Sequence, residues 1–218
     1  MATLGEYLGA GSGTTKLLLH LNGSSADSSG NGNNGTDTAI THSQANGKFG
    51  MGAGFTTGSS IVNSTAIGTV NADKTISIWA KIVTDYTSNA NTAIFQLNFN
   101  TVTYQFVYGK DATSAYFYAT RDRNMIASDV VFYRTPVSSR GFYNLILTLS
   151  GTTLSFYLDS RLLGQVTINT GNGTGDNGTG YKILNGGCNV DEVIIENRAW
   201  SASEVKKYYT YAKGYYSL

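Results

Sequence analysis

Two carboxylates stand four residues apart near the end of the chain, in the run Glu192-Val-Ile-Ile-Glu196. Retaining glycosidases use a carboxylate pair that must lie about 5–5.5 Å apart across the scissile bond. On a regular strand, positions four apart are separated by about 13 Å. The middle position, where a further carboxylate would tune the pair, is the apolar Ile194. This spacing argues against glycoside hydrolysis, and we predict that the protein is not an enzyme and has no catalytic residues.

The other reactive side chains are scattered along the chain. His20 falls inside a predicted strand and His42 in a turn-rich segment. The single cysteine, Cys188, has no base placed near it by the sequence, whereas a cysteine nucleophile needs one or a lowered pKa. The Gly-rich segments lack the Lys-Ser/Thr and the following helix of a phosphate-binding loop. We therefore expect structural roles for both histidines and for the cysteine.

Sugar binding is the chemistry that the residue types support best. Aromatic rings present flat apolar faces with a polar tip, and Asn and Asp side chains hydrogen-bond hydroxyl groups. Five tyrosines lie on predicted strands among polar neighbours: Tyr104, Tyr108, Tyr116, Tyr118 and Tyr157. The alternative, that these rings pack inside the fold or against other proteins, stays open. The sequence alone identifies no ligand-binding residue.

The composition excludes several classes of partner. The net charge of the 218 residues is +1 and only 13% of them are charged, so we predict neither nucleic-acid binding nor attraction to anionic membranes. No apolar run approaches the ~20 residues that span a membrane, so we predict no membrane insertion. One cysteine allows no internal disulfide, and a domain of this size needs none.

Short alternating segments predict many β-strands joined by tight turns. The strongest signal is a hairpin of Tyr143–Leu149 and Thr152–Leu158, turned by Ser150-Gly151. The other predicted strands are Lys16–Leu21, Thr75–Lys81, Ala93–Asn98, Thr103–Tyr108, Ala115–Ala119, Leu162–Ile168, Tyr181–Leu184 and Cys188–Asn197. Ser201-Ala-Ser-Glu204 is a capping box that begins one helix. We predict an all-β, two-sheet antiparallel jelly-roll sandwich with one short C-terminal helix.

Five segments follow one another in an order typical of a known superfamily. They are Leu17–Asn22 with Asp27–Thr36, Gly47–Phe55, Thr75–Trp79, Leu154–Asp159, and Val190–Val193 with Asn197–Glu204. With these segments the chain resembles the LamG-like jelly-roll domains of the concanavalin A-like lectin/glucanase superfamily. The likeness covers roughly residues 16–212. Residues 1–15 fall outside the likeness, and their small, Gly-rich composition predicts an extended arm. We predict a single domain at residues 16–218, with the helix at about 201–213.

The resemblance also implies a structural Ca²⁺ where the first and last strands meet. The positions carried over are Asn22, Asp27 and Asp191. Ca²⁺ takes 6–8 oxygen ligands, usually with several carboxylates. Asn22 stands where many relatives have Asp, which should weaken the affinity because an amide carries no charge. The alternative is that Asp27 caps its own loop as an Asx-turn. Glucanases of the superfamily keep a Glu-x-Asp-x-Glu strand elsewhere than this closing segment.

Both ends of the chain favour contact with other proteins. Residues 1–15 are small and Gly-rich, and five tyrosines crowd the C-terminus: Tyr208, Tyr209, Tyr211, Tyr215 and Tyr216. Tyrosine is enriched at protein interfaces. The N-terminus has no apolar signal-peptide core, which fits a location on a virion or cell exterior that is reached without such a peptide.

We therefore predict a non-enzymatic structural or adhesion domain, a virion decoration, fibre or tail component. Its partners would be other subunits of a larger assembly, with glycan binding as a further role. The alternative is a free carbohydrate-binding module of a bacterial surface protein. A glycan hydrolase using Glu192 is a third hypothesis, and we expect no turnover.

Overall fold

The computed structural model describes residues 13–83, 90–111, 114–122, 130–137, 141–168, 178–184 and 187–214. Fifteen strands and one α-helix form within them. The strands are β1 (Thr15–Leu19), β2 (Thr36–Thr38), β3 (Thr41–Ser43), β4 (Gly52–Gly54), β5 (Ser60–Asn63), β6 (Lys74–Ile82), β7 (Ala90–Phe99), β8 (Thr103–Lys110), β9 (Ala115–Asp122), β10 (Val130–Val137), β11 (Phe142–Ser150), β12 (Thr153–Leu158), β13 (Arg161–Thr167), β14 (Gly178–Leu184) and β15 (Cys188–Glu196). The helix is α1 (Ala202–Gly214).

The strands form two antiparallel sheets. Sheet A has eight strands in the order β13-β12-β11-β6-β15-β4-β3, and β1 also pairs with β15. Sheet B has seven strands in the order β10-β9-β8-β7-β14-β5-β2. The predicted all-β class with two antiparallel sheets and one short C-terminal helix is confirmed.

The main core lies between the inner faces of the two sheets. The predicted hairpin is confirmed, because Leu145 pairs with Leu158 and Leu147 with Phe156 across β11 and β12. These side chains are at most 6% exposed. Alternation along β11 and β12 therefore places these apolar residues inside the sandwich.

The first and last strands lie side by side. Leu17 pairs with Ile195 and Leu19 with Val193, so β1 closes sheet A against β15. The first strand ends at Leu19 rather than at Leu21, because Leu21 has a φ of 56°, which extended backbone does not allow. His20 consequently lies just past the strand and not inside it, which corrects the sequence prediction.

Helix α1 forms a third layer on the outer face of sheet A. The capping box is confirmed: Ser201 N donates to Glu204 Oε2 at 2.7 Å, and Glu204 N donates to Ser201 Oγ at 3.3 Å. Val205 and Tyr208 are fully buried against outward side chains of sheet A, among them Ile194. The helix therefore occupies one of the two outer faces of the sandwich. Among the described residues, no helix is long and apolar enough to cross a membrane.

The strands that sequence reasoning missed are mostly short ones: β2, β3, β4, β5 and β10. β2 and β3 have only three residues each and contain no apolar alternation. The described part of the chain begins just before β1, so residues 1–12 of the predicted arm lie outside it, as do Tyr215 and Tyr216.

Candidate functional site

The five candidate tyrosines differ in what surrounds them. Tyr104 and Tyr108 belong to the core between the sheets, and Tyr157 packs beneath α1. Tyr116 is 6% exposed, and a Cβ at Gly109 would meet its ring at 2.3 Å, so this ring lies flat on the neighbouring strand. Tyr118 alone among the five is partly exposed. The alternative that these rings mainly pack the sandwich is confirmed for four of them.

The C-terminal tyrosines pack inward as well. Tyr208 is fully buried, and its hydroxyl oxygen accepts a hydrogen bond from Trp79 Nε1 at 3.1 Å. The ring of Tyr209 stacks on Trp79, with centroids 5.8 Å apart and planes 10° apart. The predicted interface role of the tyrosine cluster is therefore wrong for Tyr208. One face of the Tyr209 ring packs against Trp79 within the domain.

A row of polar side chains crosses the outer face of sheet B. In register, Val62 of β5 pairs with Lys182 of β14, which pairs with Gln96 of β7. Gln96 in turn pairs with Gln105 of β8, and its Nε2 donates to Gln105 Oε1 at 3.1 Å. This bond leaves the side-chain oxygen of Gln96 as an acceptor and the side-chain NH₂ group of Gln105 as a donor for other partners. We call Lys182, Gln96 and Gln105 the polar row.

One end of the polar row opens into a cleft of about 510 Å³. It lies where β5, β14 and β7 run side by side, and its described lining residues are Val62, Asn63, Ser64, Asn98, Phe99, Asn100, Thr179 and Lys182. The volume falls within the range of about 300–1,000 Å³ typical of small-molecule sites. Amides and hydroxyls dominate the lining, so the cleft can form many neutral hydrogen bonds.

A bulge in β14 shapes the cleft. The register between β14 and β7 shifts between Gly178 and Gly180. Gly180 has a φ of 105°, and a Cβ there would lie 1.9 Å from the carbonyl oxygen of Asn63. Only glycine fits this approach of two backbones. Beside Gly180, Asn98 accepts a hydrogen bond from Thr103 Oγ1 at 3.4 Å through Oδ1, which leaves its amide nitrogen for other partners.

Sequence reasoning did not find this site. The alternation of Gln96 and Asn98 with buried Phe95 and Leu97 does indicate which side chains face outward. The sequence does not indicate that β14 lies between β5 and β7, because those strands are far apart along the chain. The polar row exists only once that order is known.

The predicted calcium ligands bind protein groups instead. Asp191 Oδ2 accepts hydrogen bonds from the backbone N–H groups of Lys48 at 2.7 Å and Phe49 at 2.8 Å. Its Oδ1 accepts from Glu192 N at 2.9 Å. Asn22 Oδ1 accepts from Met51 N at 2.8 Å. Asn22 and Asp191 are therefore joined through one loop, residues 47–51, by backbone donors.

Asp27 belongs to a different loop. Its Oδ1 accepts from Leu18 N at 3.0 Å and Ser29 N at 2.9 Å, and its Oδ2 from Asn33 N and Ser29 Oγ, each at 2.9 Å. The bond from Ser29 N is the Asx-turn that was the alternative to metal binding. N–H groups directed at an oxygen repel a cation, so Asn22, Asp27 and Asp191 do not fit one shared Ca²⁺. No group of three His, Cys, Asp or Glu among the described residues could hold a metal. Calcium binding itself stays a prediction.

The two glutamates of the hydrolase hypothesis are buried beneath α1. Glu192 is 3% exposed, and its Oε1 lies 2.8 Å from His20 Nδ1. Glu196 is fully buried and accepts hydrogen bonds from Trp200 Nε1 and Arg198 Nε, each at 2.8 Å. Ile194 between them packs against the helix. Each carboxylate is thus engaged by the protein, and neither lines the cleft.

The remaining reactive residues also have structural partners. His42 Nδ1 donates to the carbonyl oxygen of Leu21 at 2.9 Å, and its Nε2 lies 2.8 Å from Asp37 Oδ2. Because His42 is in sheet A and Asp37 in sheet B, this pair connects the two sheets at one edge. Cys188 is a buried free thiol, and burial raises its pKa. The structural roles expected for these residues agree with these contacts.

The pairing of His20 makes stability depend on pH. Its hydrogen bond to Glu192 raises the pKa of His20. Burial, together with the charge of Glu192, raises the pKa of Asp191 to about 7. Both groups bind a proton more tightly in the folded state, so the free energy of unfolding falls as pH rises. Asp191 contributes to this fall between about pH 4 and about pH 7, and His20 contributes above about pH 6.5.

We expect His20→Gln to remove the part of this decline that lies above about pH 6.5. The difference in unfolding free energy between the variant and the wild type should be larger at pH 6 than at pH 8. The reason is that His20 stabilises the fold most when its imidazole is charged and pairs with Glu192. Urea unfolding at both pH values measures the difference. Identical slopes of unfolding free energy against pH in variant and wild type would contradict the role of this pair.

Fold and site together define a β-sandwich domain with a helix on one outer face and a polar cleft on the other sheet. Solved structures share this fold. The binding domain of Paraclostridial Mosquitocidal Protein 1 matches with 17% identity and a TM-score of 0.64, over 90% of this chain and 52% of that one. Domain 4 of AbnA, a GH43 extracellular arabinanase from Geobacillus stearothermophilus in complex with arabinotriose, matches with 15% identity and a TM-score of 0.64, over 89% and 98%.

Part of an enzyme is similar too. A Trypanosoma rangeli sialidase matches with 14% identity and a TM-score of 0.53, over 74% of this chain but only 28% of the sialidase. This chain spans about half of the mosquitocidal binding domain and nearly all of the arabinanase domain. At these identities the likeness establishes the fold. No protein-family model and no curated protein matches the chain, so the LamG-like relationship stays a prediction.

Proposed function

We propose that this chain is a non-enzymatic binding domain whose ligand is a carbohydrate, held on the outer face of sheet B. The observation that carries the proposal is the cleft lined by amides and hydroxyls at the end of the polar row. Such groups donate and accept at once, which matches sugar hydroxyls. Helix α1 packs on the other sheet, so it does not cover this face.

The similar structures support the same role. One of the three is a binding domain, and another, domain 4 of the arabinanase, is in complex with arabinotriose. The buried and engaged state of Glu192 and Glu196 also favours binding over hydrolysis. These points support a binding role without naming the sugar.

The test is a glycan array followed by calorimetry on the best ligand. Gln96→Ala and Gln105→Ala should each weaken binding about fivefold to tenfold, because each removes one hydrogen bond worth about 1 kcal/mol. Gln165→Ala is the matched control: Gln165 also donates to a cross-strand neighbour, Ser155 at 2.8 Å, but on sheet A. Binding weakened equally by the control, or absent for every glycan, would overturn the proposal.

We further propose that the domain works on the exterior of a virion, as a decoration, fibre or tail component in contact with other subunits. The outward side of α1 supports such a contact, since a groove of about 520 Å³ is lined there by Ser203, Lys206, Lys207, Thr210 and Tyr211. The alternative setting is a free carbohydrate-binding module of a bacterial surface protein. Mass spectrometry and electron microscopy of particles from the native source distinguish the two. A monomeric chain that no particle contains would favour the alternative.

A further inference from the structure

The cleft on sheet B contains one charged side chain. Lys182 lies on β14 with an exposed side chain, between the register positions of Val62 and Gln96. The other described lining residues, seven in number, are neutral. The described lining residues therefore carry a positive charge, in a molecule whose net charge is only +1.

Nothing in the described part of the chain neutralises this lysine. None of the ion pairs among the described residues includes Lys182. The acid nearest in strand order is Asp37 on β2, which pairs in register with the buried Ile61 and so belongs to the side of the strand that faces sheet A. Asp37 is held there by His42. On the outer side, the β2 residue that pairs with Val62 is Thr36.

The surroundings of Lys182 suit a sugar that carries an acid. Gly180, two residues before it, lets the backbone of Asn63 approach β14 closely, which places Asn63 and Ser64 at the edge of the cleft. Ser64 and Thr179 expose hydroxyls, and Asn98 retains its amide nitrogen. One ammonium matches one carboxylate, whereas sulfate and phosphate groups are usually bound by several cations or by the fork of an arginine.

We propose that the cleft binds an acidic sugar, a uronic or sialic acid, whose carboxylate pairs with Lys182 while its hydroxyls bond the neutral lining. This inference rests on the proposed carbohydrate-binding function and names the class of ligand. The charged contact should contribute more than any neutral one, because charge-assisted hydrogen bonds are roughly twice as strong. It should also weaken as salt increases, since Lys182 is exposed.

The test compares each acidic sugar with its own methyl ester, which keeps the shape and removes the charge. The probes are 3′-sialyllactose and trigalacturonate. Their binding to the full chain is measured by ¹⁵N chemical-shift titration and by calorimetry. We expect the acids to bind at least about tenfold more tightly than their esters. Lys182→Gln should abolish that difference and Lys182→Arg should keep it. Lys213→Gln, which removes an exposed lysine from α1 outside the groove of Lys206 and Lys207, should leave the binding of both sugars unchanged.

The outcomes separate the two proposals. Equal binding of acid and ester at the polar row, unaffected by Lys182→Gln, would overturn the acidic-sugar inference and leave the carbohydrate-binding function standing. Shifts confined to residues outside sheet B, or no shift with any glycan of the array, would overturn both. Because Lys182 is exposed, its variants should unfold at the wild-type temperature, which a thermal melt checks.

Discussion

Replacing Trp79 with alanine is expected to lower the free energy of unfolding by about 3–5 kcal/mol, the usual loss for a large buried aromatic residue. Trp79 lies in β6 and is 2% exposed. Its ring meets Phe49 edge to face at 5.2 Å and stacks on Tyr209 at 5.8 Å. Its Nε1 also donates to the hydroxyl of Tyr208. One side chain thus connects sheet A, the loop at Phe49 and helix α1.

Chemical denaturation monitored by circular dichroism measures this loss. Trp79→Phe should cost less than Trp79→Ala, because it keeps an aromatic ring for the stack and loses mainly the hydrogen bond to Tyr208. Leu162→Ala is the control, because Leu162 is 45% exposed on the edge strand β13, and we expect a change below about 0.5 kcal/mol. A loss below about 1 kcal/mol for Trp79→Ala would show that α1 is not an integral layer of the fold.

The helix layer also bears on where a ligand can bind. Tyr208 and Val205 bury the outer side of sheet A beneath α1, together with Ile146 and Ile194. The carboxylates of Glu192 and Glu196 are buried as well, so neither is open to a ligand. Within the described part of the chain, no helix covers the outer face of sheet B, and the polar row there is well placed to meet a ligand.

Most of the fold could be predicted from the sequence because its signals are local. The hairpin of β11 and β12 combines strict alternation with a tight turn, so its register follows directly. The capping box at Ser201 fixes the start of α1 for the same reason. The pairing of β1 with β15 was reached through the resemblance to LamG-like domains rather than through any local pattern.

The site could not be predicted in the same way, because it depends on strand order and on the identity of hydrogen-bond partners. Lys182, Gln96 and Gln105 come together only when β14 pairs with β7 and β7 with β8. Asp191 was predicted as a metal ligand because the resemblance to LamG-like domains carries a calcium position over to it. The loop at Lys48 and Phe49 supplies two backbone donors to this carboxylate, which no residue type reveals.

Asp191→Ala tests whether backbone donors hold the Asp191 carboxylate, and we expect it to lower the free energy of unfolding by about 3 kcal/mol. The substitution leaves the N–H groups of Lys48, Phe49 and Glu192 without their acceptor, and each unsatisfied buried donor costs about 1–3 kcal/mol. Relief of the repulsion between the neighbouring carboxylates of Asp191 and Glu192 offsets part of the sum. Asp191→Asn should cost less, because its amide oxygen still accepts from the loop.

Thermal melts of the wild type and of these variants, recorded in EDTA and in millimolar Ca²⁺, decide whether backbone donors or a metal ion are the partners of Asp191. If the three N–H groups hold the carboxylate, the wild-type melting temperature is the same in both buffers and the loss in Asp191→Ala is equally large in both. Asp37→Ala, which removes an exposed acid at the sheet edge, should cost less than about 1 kcal/mol in either buffer. A wild-type melting temperature that falls in EDTA, recovers with Ca²⁺ and no longer responds after Asp191→Ala would assign the carboxylate to a metal ion, and the loop at residues 47–51 would then have to move to admit it.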